Sequence, residues 1–354
     1  MPTPLPDREK AAGHSLRSSA KDVARLAGVS TATVSRVINS PEQVDAKTQR
    51  LVREAVTKLH YVPHGAARAL RSHRSRMVGA VVPSFEYALY ARTTSAIQAV
   101  LDTEGYSLVL AEHHYDLGAE LRITRQLVSH GVDAFVFVGL HHDAGLFSLL
   151  EDYGRPFVLT WGVDPMRQHP SIGFDNRAAT FEMTQHLIGL GHRRFGLLSA
   201  PTEGNDRATE RGAGIRAALA QVGLKLDEEC VQYGPISLAA AAGMMRRLLA
   251  LKNRPTAIVS TNDVFAVGAM IACREADVRI PEDVSITGVD DTDLGATQTP
   301  ALSSIHTPII EVGRAAAEQV IARLKGKPHV TFQTLPFELA IRGSTGGPVK
   351  RRNS

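Results

Sequence analysis

From residue 77 onward, the sequence alternates between short apolar runs and longer segments of helical periodicity. The short runs predict strands, and the segments between them predict helices. The predicted strands are residues 78–82, 107–111, 134–138, 157–160, 195–198, 257–260 and 285–288. The predicted helices include residues 92–103, 119–130, 177–190, 210–221, 239–251 and 264–276. This alternation is typical of doubly wound α/β folds, in which helices cover both faces of a parallel sheet.

The chain is also too long for a single small core. Its 354 residues predict two to three domains, and the strand–helix units before and after about residue 176 are each near one domain in size. With 44% apolar and 21% charged residues, the composition is that of an ordinary soluble globular protein. Neither a secretory leader nor a run of 18 apolar residues is present, so secretion and membrane spanning are not expected. Cys230 and Cys273 lack metal-binding spacing, which favours small buried residues of a cytosolic protein.

A different pattern occupies residues 19–39. Apolar residues form two short helical stripes, which are Val23, Leu26 and Ala27, then Val34, Val37 and Ile38. Between the stripes, Gly28 suits a left-handed helix C-cap and Ser30 suits the N-cap of the next helix. Two short helices joined by such a turn form a helix-turn-helix, whose second helix enters the major groove of DNA. For this segment alone, an ordinary helical hairpin is the alternative.

The surrounding sequence supports a DNA-facing end of the chain. A third amphipathic helix is predicted over residues 46–59, started by Asp45. Residues 1–76 hold 14 Lys and Arg against 6 Asp and Glu, a net charge of +8, whereas the remainder carries −4. A basic end beside the helix-turn-helix fits a surface that meets phosphate. Residues 1–18 are rich in proline and polar groups without periodicity and are predicted to form a disordered arm.

The order of these residues resembles the lactose-repressor (LacI/GalR) family of bacterial transcription regulators. The resemblance rests on Asp22-Val23-Ala24, Ala27-Gly28-Val29-Ser30, Thr33-Val34-Ser35-Arg36-Val37-Ile38-Asn39, Tyr61-Val62-Pro63 and Ala67-Arg68-x-Leu70. It resumes beyond residue 76 and covers nearly the whole chain.

The resemblance implies a domain organisation. A helix-turn-helix domain would span residues 19–62, a hinge helix and linker residues 63–76, a two-lobed effector domain residues 77–343, and a tail residues 344–354. The effector domain would have the two-lobed fold of periplasmic sugar-binding proteins. Its first lobe would take residues 77–175 and about 303–332, and its second lobe residues 176–302 and about 333–343. The tail has no heptad repeat, so the tetramerising coil of some relatives is not expected.

In the second helix, Arg36 is the best candidate for reading a base. An arginine can donate two hydrogen bonds to guanine, although a phosphate contact is the alternative. By the resemblance, Thr31 and Ala32 match the variable specificity positions of the family. The remaining DNA-facing candidates of this domain are Ser30, Thr33, Ser35 and Asn39, and the first three are expected to bond phosphates.

The resemblance also implies that the hinge folds on operator DNA and pairs with the hinge of a second subunit. Leu70 matches the leucine that wedges into the minor groove, which is how apolar side chains kink DNA. Ala67 and His64 belong to the same candidate surface. Asparagine is common in the family at the position of His64, which puts that contact in doubt.

Ligands of doubly wound sheets bind at the carboxyl ends of the strands. In the first lobe, the polar and aromatic candidates at such places are Ser84, Phe85, Tyr87, Tyr90, His114, Trp161 and Phe174. In the second lobe, the resemblance adds Arg211, Asn262 and Asp290. An arginine, an amide and a carboxylate between aromatic walls suit a hydroxyl-rich or carboxylated small molecule. Each residue could instead be a helix cap or a core hydrogen bond, and Asp263 is expected to be an N-cap.

Two departures from the family pattern leave the ligand open. Ile236 stands where relatives often place an aromatic stacking group, and Asn205 stands where some purine-responsive members have arginine. Residues 40–44 and 172–176 look most like gluconate-type repressors, which favours a sugar or sugar acid. No cofactor is expected. A metal site at His113-His114 or His141-His142 is not expected, because adjacent histidines in a strand point to opposite faces.

The sequence therefore predicts a cytoplasmic, nucleoid-associated homodimer that binds pseudo-palindromic operator DNA. We expect a repressor of a catabolic operon under the control of a small effector. Nothing indicates an enzyme, since no phosphate loop, nucleophile elbow or catalytic Cys/His set occurs. The alternative is a sugar-binding or carbohydrate-processing protein that uses the two lobes without a regulatory role. The missing leader and the attached basic helix-turn-helix argue against it.

Overall fold

The computed structural model describes residues 18–62 and 74–348. The chain divides into two compact units, Met1–His73 and Arg74–Ser354. The predicted arm up to residue 17, the hinge with His64, Ala67 and Leu70, and residues 349–354 lie outside the described residues.

The first unit contains three α-helices in its described part, α1 (Ala20–Ala27), α2 (Thr31–Asn39) and α3 (Ala46–Lys58), with a 3₁₀ turn at Pro41–Gln43. The predicted caps are confirmed. Gly28 has a left-handed backbone with φ of 66°, and the Ser30 side chain accepts a hydrogen bond from the Thr33 N–H at 3.0 Å. Asp45 accepts from the Thr48 N–H in the same way. Satisfying these orphan N–H groups fixes where each helix begins.

A small apolar core holds the three helices together. Its buried residues are Val23, Ala24, Ala27, Val34, Val37, Val52 and Ala55. Leu26, which belongs to the first predicted apolar stripe, does not join this core and is 45% exposed. The buried face of α1 is instead completed by Ala24, which lies one turn before the C-cap. Small residues at these positions let α1 approach the other two helices closely.

The second unit is built from twelve strands and nine α-helices within residues 74–348. The strands are β1 (Met77–Val82), β2 (Ser107–Glu112), β3 (Ala134–Val138), β4 (Phe157–Thr160), β5 (Ser171–Gly173), β6 (Phe195–Ser199), β7 (Val231–Tyr233), β8 (Ala257–Ser260), β9 (Ser285–Thr287), β10 (Ser304–His306), β11 (Phe332–Thr334) and β12 (Glu338–Ala340). The helices are α4 (Ala88–Thr103), α5 (Leu117–Ser129), α6 (Ala144–Asp152), α7 (Asn176–Gly189), α8 (Asp206–Gln221), α9 (Leu238–Leu249), α10 (Asp263–Glu275), α11 (Asp293–Ala296) and α12 (Ile309–Leu324). A 3₁₀ turn lies at Glu228–Cys230.

These elements form two parallel sheets, as predicted for a doubly wound fold. The first sheet has the order β11-β5-β4-β3-β1-β2, and the second has the order β7-β6-β8-β9. A two-stranded antiparallel sheet, β10-β12, packs on α7 through Ile305 and Leu339. Helices flank each parallel sheet, so the central strands β3 and β8 are buried along their whole length. Both cysteines are buried and free.

The chain passes between the two lobes three times, but two passages lie a few residues later than predicted. Ser303, predicted to start the return to the first lobe, accepts a hydrogen bond from the Gly288 N–H of the second lobe at 2.9 Å. The pairing of β10 with β12 keeps residues 304–306 there as well. β11 pairs with β5, so the last passage follows Thr334.

The predicted tail also starts too early. Ser344 is fully buried, and its carbonyl accepts a hydrogen bond from the Ile286 N–H of β9 at 2.9 Å. Its hydroxyl donates to the Ile286 carbonyl at 2.6 Å. Gly346 donates its N–H to Ser285 at 3.0 Å. Residues 344–346 therefore complete the edge of the second sheet.

Candidate functional site

Helix α2 presents a polar face away from the core of the first unit. Val34 and Val37 are buried, whereas Thr31, Ala32 and Arg36 are exposed. No hydrogen bond or ion pair holds the Arg36 guanidinium within residues 18–62, so its donors point into solvent. This is the face that a recognition helix would turn to base edges.

The other predicted DNA contacts surround that face and already take part in local hydrogen bonds. Ser30 caps α2, and its hydroxyl lies 2.9 Å from that of Thr33. The Asn39 amide donates to the Ser35 carbonyl at 2.8 Å. A hydroxyl both donates and accepts, so these groups keep capacity for a phosphate oxygen.

In the second unit, the carboxyl ends of the strands in the two sheets border a cleft with two compartments. The inner chamber is about 30 Å³ and is lined by Tyr87, Tyr90, Tyr115, Trp161, Ala200, Asn205, Arg207, Ala208, Arg211, Ile236, Thr261 and Asn262. The outer cleft is about 790 Å³, and its lining includes Ser84, His114, Glu203, Pro235, Leu238 and Leu294. Tyr87, Tyr115, Ala200, Asn205 and Ile236 line both, so the compartments adjoin each other.

Most of the predicted effector residues line this cleft. Tyr87, Tyr90, Trp161, Arg211, Ile236 and Asn262 border the inner chamber, and Ser84 and His114 border the outer cleft. Three others are not part of either lining. Phe85 is 49% exposed on the loop after β1, whereas Phe174 and Asp290 are buried beneath Arg211. The structure therefore does not bring these three side chains into the lining of either compartment.

Arg211 of α8 is bound by protein groups on all three guanidinium nitrogens. Its Nε donates to Asn176 Oδ1 at 2.7 Å and its Nη1 to the Thr261 carbonyl at 2.6 Å. Its Nη2 lies 3.5 Å from Asp290 Oδ1. The guanidinium also sits over the Phe174 ring at 6.0 Å. These contacts fix Arg211 as a brace within the second lobe.

Asp290 extends this brace to the first lobe. Its carboxylate accepts a hydrogen bond from the Tyr87 hydroxyl and lies 3.5 Å from the Thr307 hydroxyl. Burial raises the pKa of Asp290, and the Arg211 guanidinium opposes that shift. A second contact between the lobes joins the Asn176 amide to the Trp161 carbonyl at 2.7 Å. The lobes are thus linked by buried polar groups at the cleft.

Arg207 and Tyr115 were not among the predicted site residues. Arg207 lies one turn before Arg211 on α8 and is only 5% exposed. Its Nη1 donates to Asp206 at 2.7 Å, and Asp206 accepts from the Leu140 N–H at 3.1 Å. Burial disfavours the charged form of Arg207, but Asp206 and the nearby tyrosine hydroxyls outweigh burial and raise its pKa. The sequence feature that could have pointed to Arg207 is Asn205, because it is the N-cap of α8 and places Arg207 in the first turn of that helix.

The predicted N-cap of α10 is corrected by one residue. Asn262, not Asp263, caps the helix, and its side chain accepts from the Phe265 N–H at 2.9 Å. The Asp263 carboxylate instead accepts from the Thr292 N–H at 2.6 Å and from the Ser304 hydroxyl at 2.6 Å. Burial and the nearby Asp290 raise the pKa of Asp263 to about 7.

Glu120 of α5 contacts one histidine from each of the two adjacent pairs, His113 of His113-His114 and His142 of His141-His142. His142 Nδ1 lies 2.9 Å from Glu120 Oε2, and His113 Nε2 lies 3.7 Å from Oε1. The His142 Nε2–H donates to the Gly139 carbonyl at 3.0 Å. Burial lowers the pKa of His113, with Glu120 opposing that shift. The other member of each pair, His114 or His141, is exposed.

Comparison with known proteins links the two units to one family. Residues 19–64 match the family model "Bacterial regulatory proteins, lacI family", and residues 184–345 match "Periplasmic binding protein-like domain". The repressor PurR of Pectobacterium carotovorum subsp. carotovorum (strain PC1) is 31% identical over 333 residues, which are 93% of this chain and 97% of PurR. The chain belongs to the lacI family of bacterial regulatory proteins.

Solved structures of lacI-family regulators have the same fold. The Lac repressor dimer bound to operator and the anti-inducer ONPF superposes with a TM-score of 0.82 at 27% identity, covering 93% of this chain and 99% of that chain. A complex of the transcriptional regulator CelR with cellobiose has a TM-score of 0.68 at 30% identity, covering 93% and 100%. In the described part of this lacI-family chain, no helix has the length and apolar character needed to cross a membrane.

Proposed function

We propose that this lacI-family protein is a homodimeric repressor of a catabolic operon, and that a sugar or sugar acid in the cleft controls its binding to operator DNA. The observation that carries the proposal is the outward polar face of α2. Its Thr31, Ala32 and Arg36 are exposed on a helix whose other side is buried, with Thr31 and Ala32 in the first turn. This position suits contact with base edges in the major groove.

In the proposed DNA complex, some side chains of the first unit contact bases and others contact phosphates. Arg36 would donate two hydrogen bonds to a guanine, and Thr31 and Ala32 would contact neighbouring bases. Ser30, Thr33, Ser35 and Asn39 would bond phosphates, which set the position of the helix. In the hinge, Leu70 would wedge into the minor groove beside Ala67 and His64.

The cleft supports the proposed effector site because it combines enclosure with polar groups. Hydroxyl, amide and guanidinium groups of Tyr90, Asn205 and Arg207 border the inner chamber. Tyr87, which lines both compartments, supplies an aromatic wall for a sugar ring in the outer cleft, and Trp161 borders the inner chamber. The structural neighbour CelR was solved as a complex with cellobiose, which agrees with a sugar ligand.

The proposed control is a shift in the population of lobe arrangements. An effector that binds one arrangement more tightly favours that arrangement, and the linker passes the change to the hinge. Effector and operator then alter each other's affinity by the same factor. A regulator of this kind acts on the nucleoid in the cytoplasm, as a homodimer on a pseudo-palindromic site.

The test is selection of bound duplexes from a random-sequence DNA pool by the full chain. We expect a pseudo-palindromic site, and we expect gluconate, glucose or cellobiose to change its affinity in a gel shift. Arg36→Ala should weaken operator binding by about 1–3 kcal/mol and relax one base preference in each half-site. Arg50→Ala, which alters an exposed cation of α3, should leave base preference intact. Selection of no common sequence would reject the proposed function.

A further inference from the structure

We infer that the effector carries an anionic head, a carboxylate or a phosphate, and that Arg207 binds this head in the inner chamber. The inference rests on the proposed function, because it names the chemical class that the proposed effector site accepts. Arg207 lies in the chamber lining, is 5% exposed, and comes from the first turn of α8.

The two arginines of α8 differ in how many donors they retain. Arg211 directs all three guanidinium nitrogens to protein oxygens. Arg207 donates one hydrogen bond, from Nη1 to Asp206, with the Tyr90 hydroxyl close by. Its other N–H groups meet no carboxylate or carbonyl acceptor within residues 74–348. A guanidinium can donate five hydrogen bonds, so Arg207 keeps donors for a ligand.

Other groups of the chamber also offer donors. The Trp161 indole N–H is buried and has no hydrogen-bond partner among the described residues. The Tyr90 and Tyr115 hydroxyls lie 3.3 Å apart and are each able to donate. No Asp or Glu belongs to the chamber lining in the described part of the chain. A buried donor without an acceptor costs about 1–3 kcal/mol. A ligand head that only accepts hydrogen bonds, such as a carboxylate or a phosphate, would remove this cost by binding the free donors of the chamber.

Two helices point their N-termini at the same place. Asn205, the N-cap of α8, and Asn262, the N-cap of α10, both line the chamber. Each helix has at least 13 residues, and the partial positive charge at its first turn favours an anion. Asp206 and Asp263, one in the first turn of each helix, oppose this field, but both carboxylates already accept hydrogen bonds from protein groups.

The size of the chamber limits what can enter it. A water needs roughly 10–15 Å³ of such space, so a chamber of about 30 Å³ admits a head of two or three oxygens but not a sugar ring. The ring and the rest of the ligand would occupy the adjoining outer cleft of about 790 Å³. The two compartments therefore divide an acidic ligand into head and body.

Trp161 makes the test direct, because it is the single tryptophan of the chain and borders the chamber. The full chain is titrated with gluconate, glucose 6-phosphate and glucose while its tryptophan fluorescence is recorded. We expect a saturable change with gluconate or glucose 6-phosphate and none with glucose at tenfold higher concentration. The acid that binds decides between carboxylate and phosphate. R207Q should weaken its binding about ten- to hundredfold.

Two further variants keep the test decisive. D206N/R207Q removes the cation together with the carboxylate that it neutralises, and it replaces R207Q if that variant melts early. R216Q changes an exposed arginine of the same helix and should bind the acid as the parent chain does. Equal affinity for glucose and gluconate, unchanged binding by the folded Arg207 variant, or no saturable change with either acid would overturn the inference. Operator selection is read separately, so a failure of the proposed function is recognised on its own.

Discussion

Arg207 and Arg211 lie one helical turn apart on α8 and yet have different surroundings. Arg211 faces Asn176, Thr261 and Asp290, whereas Arg207 faces the inner chamber. The family resemblance pointed to Arg211 as the ligand contact, but its hydrogen bonds make it a structural brace first. The partners of Arg211 lie far away in the chain. The local sequence around α8 therefore could not predict which of the two arginines would be bound by protein groups.

Replacing Arg211 by alanine should therefore destabilise the fold. The change would leave the buried Asp290 carboxylate without its cation, which costs about 3–5 kcal/mol for a buried pair. Urea unfolding of the full chain measures the loss. R216A, on the exposed side of α8, should change the free energy of unfolding by less than about 0.5 kcal/mol. Equal stability of R211A and the parent chain would show that Arg211 is free to act on ligand alone.

His192 should make the second lobe sensitive to acid. Its ring is 1% exposed and lies 2.9 Å from the Thr256 hydroxyl and 2.8 Å from the Gly346 carbonyl. Burial lowers the pKa of His192 below the value of about 6.5 in the unfolded chain. The unfolded state then binds more protons below that pH, so the stability contribution is full above it and is lost as pH falls.

We expect urea midpoints of the parent chain to fall between about pH 7.5 and 5.5, and those of H192N to fall less. His130 is exposed, and the variant H130N is the control. Its urea midpoints should follow those of the parent chain across this pH range. Parallel profiles for H192N and the parent would contradict the assignment.

At the scale of elements, the helix ends were predicted well where a single residue type determines the cap. Gly28, Ser30 and Asp45 each act at the predicted position. Asn262 and Asp263 are adjacent residues with similar capping ability, and sequence alone could not choose between them. Of the six three-residue strands in the described part of the chain, β5, β7, β10, β11 and β12 were not predicted, and β9 was. Such runs are too short to show alternation, and pairing across the sheet decides them.

Gly139, at the end of β3, lies against Arg207 and Asp206 of the second lobe. Its φ is 100°, and a Cβ there would lie 2.2 Å from Arg207 Nη1 and 2.6 Å from Asp206 Oδ1. G139A should lower stability by about 1–3 kcal/mol for the overlap, in addition to about 1–2 kcal/mol for the left-handed backbone. Thermal melting would measure both together.

Gly154 provides the matched control. It also has a positive φ, of 58°, but nothing lies within 4 Å of its Cβ position. G154A should therefore show the backbone cost alone, about 1–2 kcal/mol. If G139A and G154A melt at the same temperature, the close approach of Arg207 to Gly139 has no energetic weight.

At the scale of the whole molecule, the cleft joins residues that are far apart in sequence. Tyr87 and Asp290 are separated by 203 positions and share a buried hydrogen bond. The alternation of strands and helices predicted the sheets and the edge at which a ligand would bind. It could not predict that Asp290 is covered, that Phe85 turns outward, or that Arg207 enters the chamber. Those outcomes follow from packing between the lobes.

If the cleft and the operator site are linked, their coupling must be reciprocal. The acid identified by fluorescence should change operator affinity by some factor, and a saturating operator duplex should change the affinity for that acid by the same factor. Tryptophan titrations with and without the duplex, compared with gel shifts with and without the acid, measure the two values. A duplex of unrelated sequence is the control. Unequal factors at equilibrium would mean that the two sites do not report one linked transition.

The bonds of Ser344 to Ile286 have a consequence for the order of events during synthesis. A ribosome adds roughly 5–20 residues per second, so the helix-turn-helix emerges on the order of 15–60 seconds before residues 344–346 are made. Until then, β9 lacks the segment that closes its edge. A nascent chain thus exposes its DNA-binding end while the second sheet still lacks the segment that closes its edge. Truncation just before Ser344 would extend that condition to the released protein.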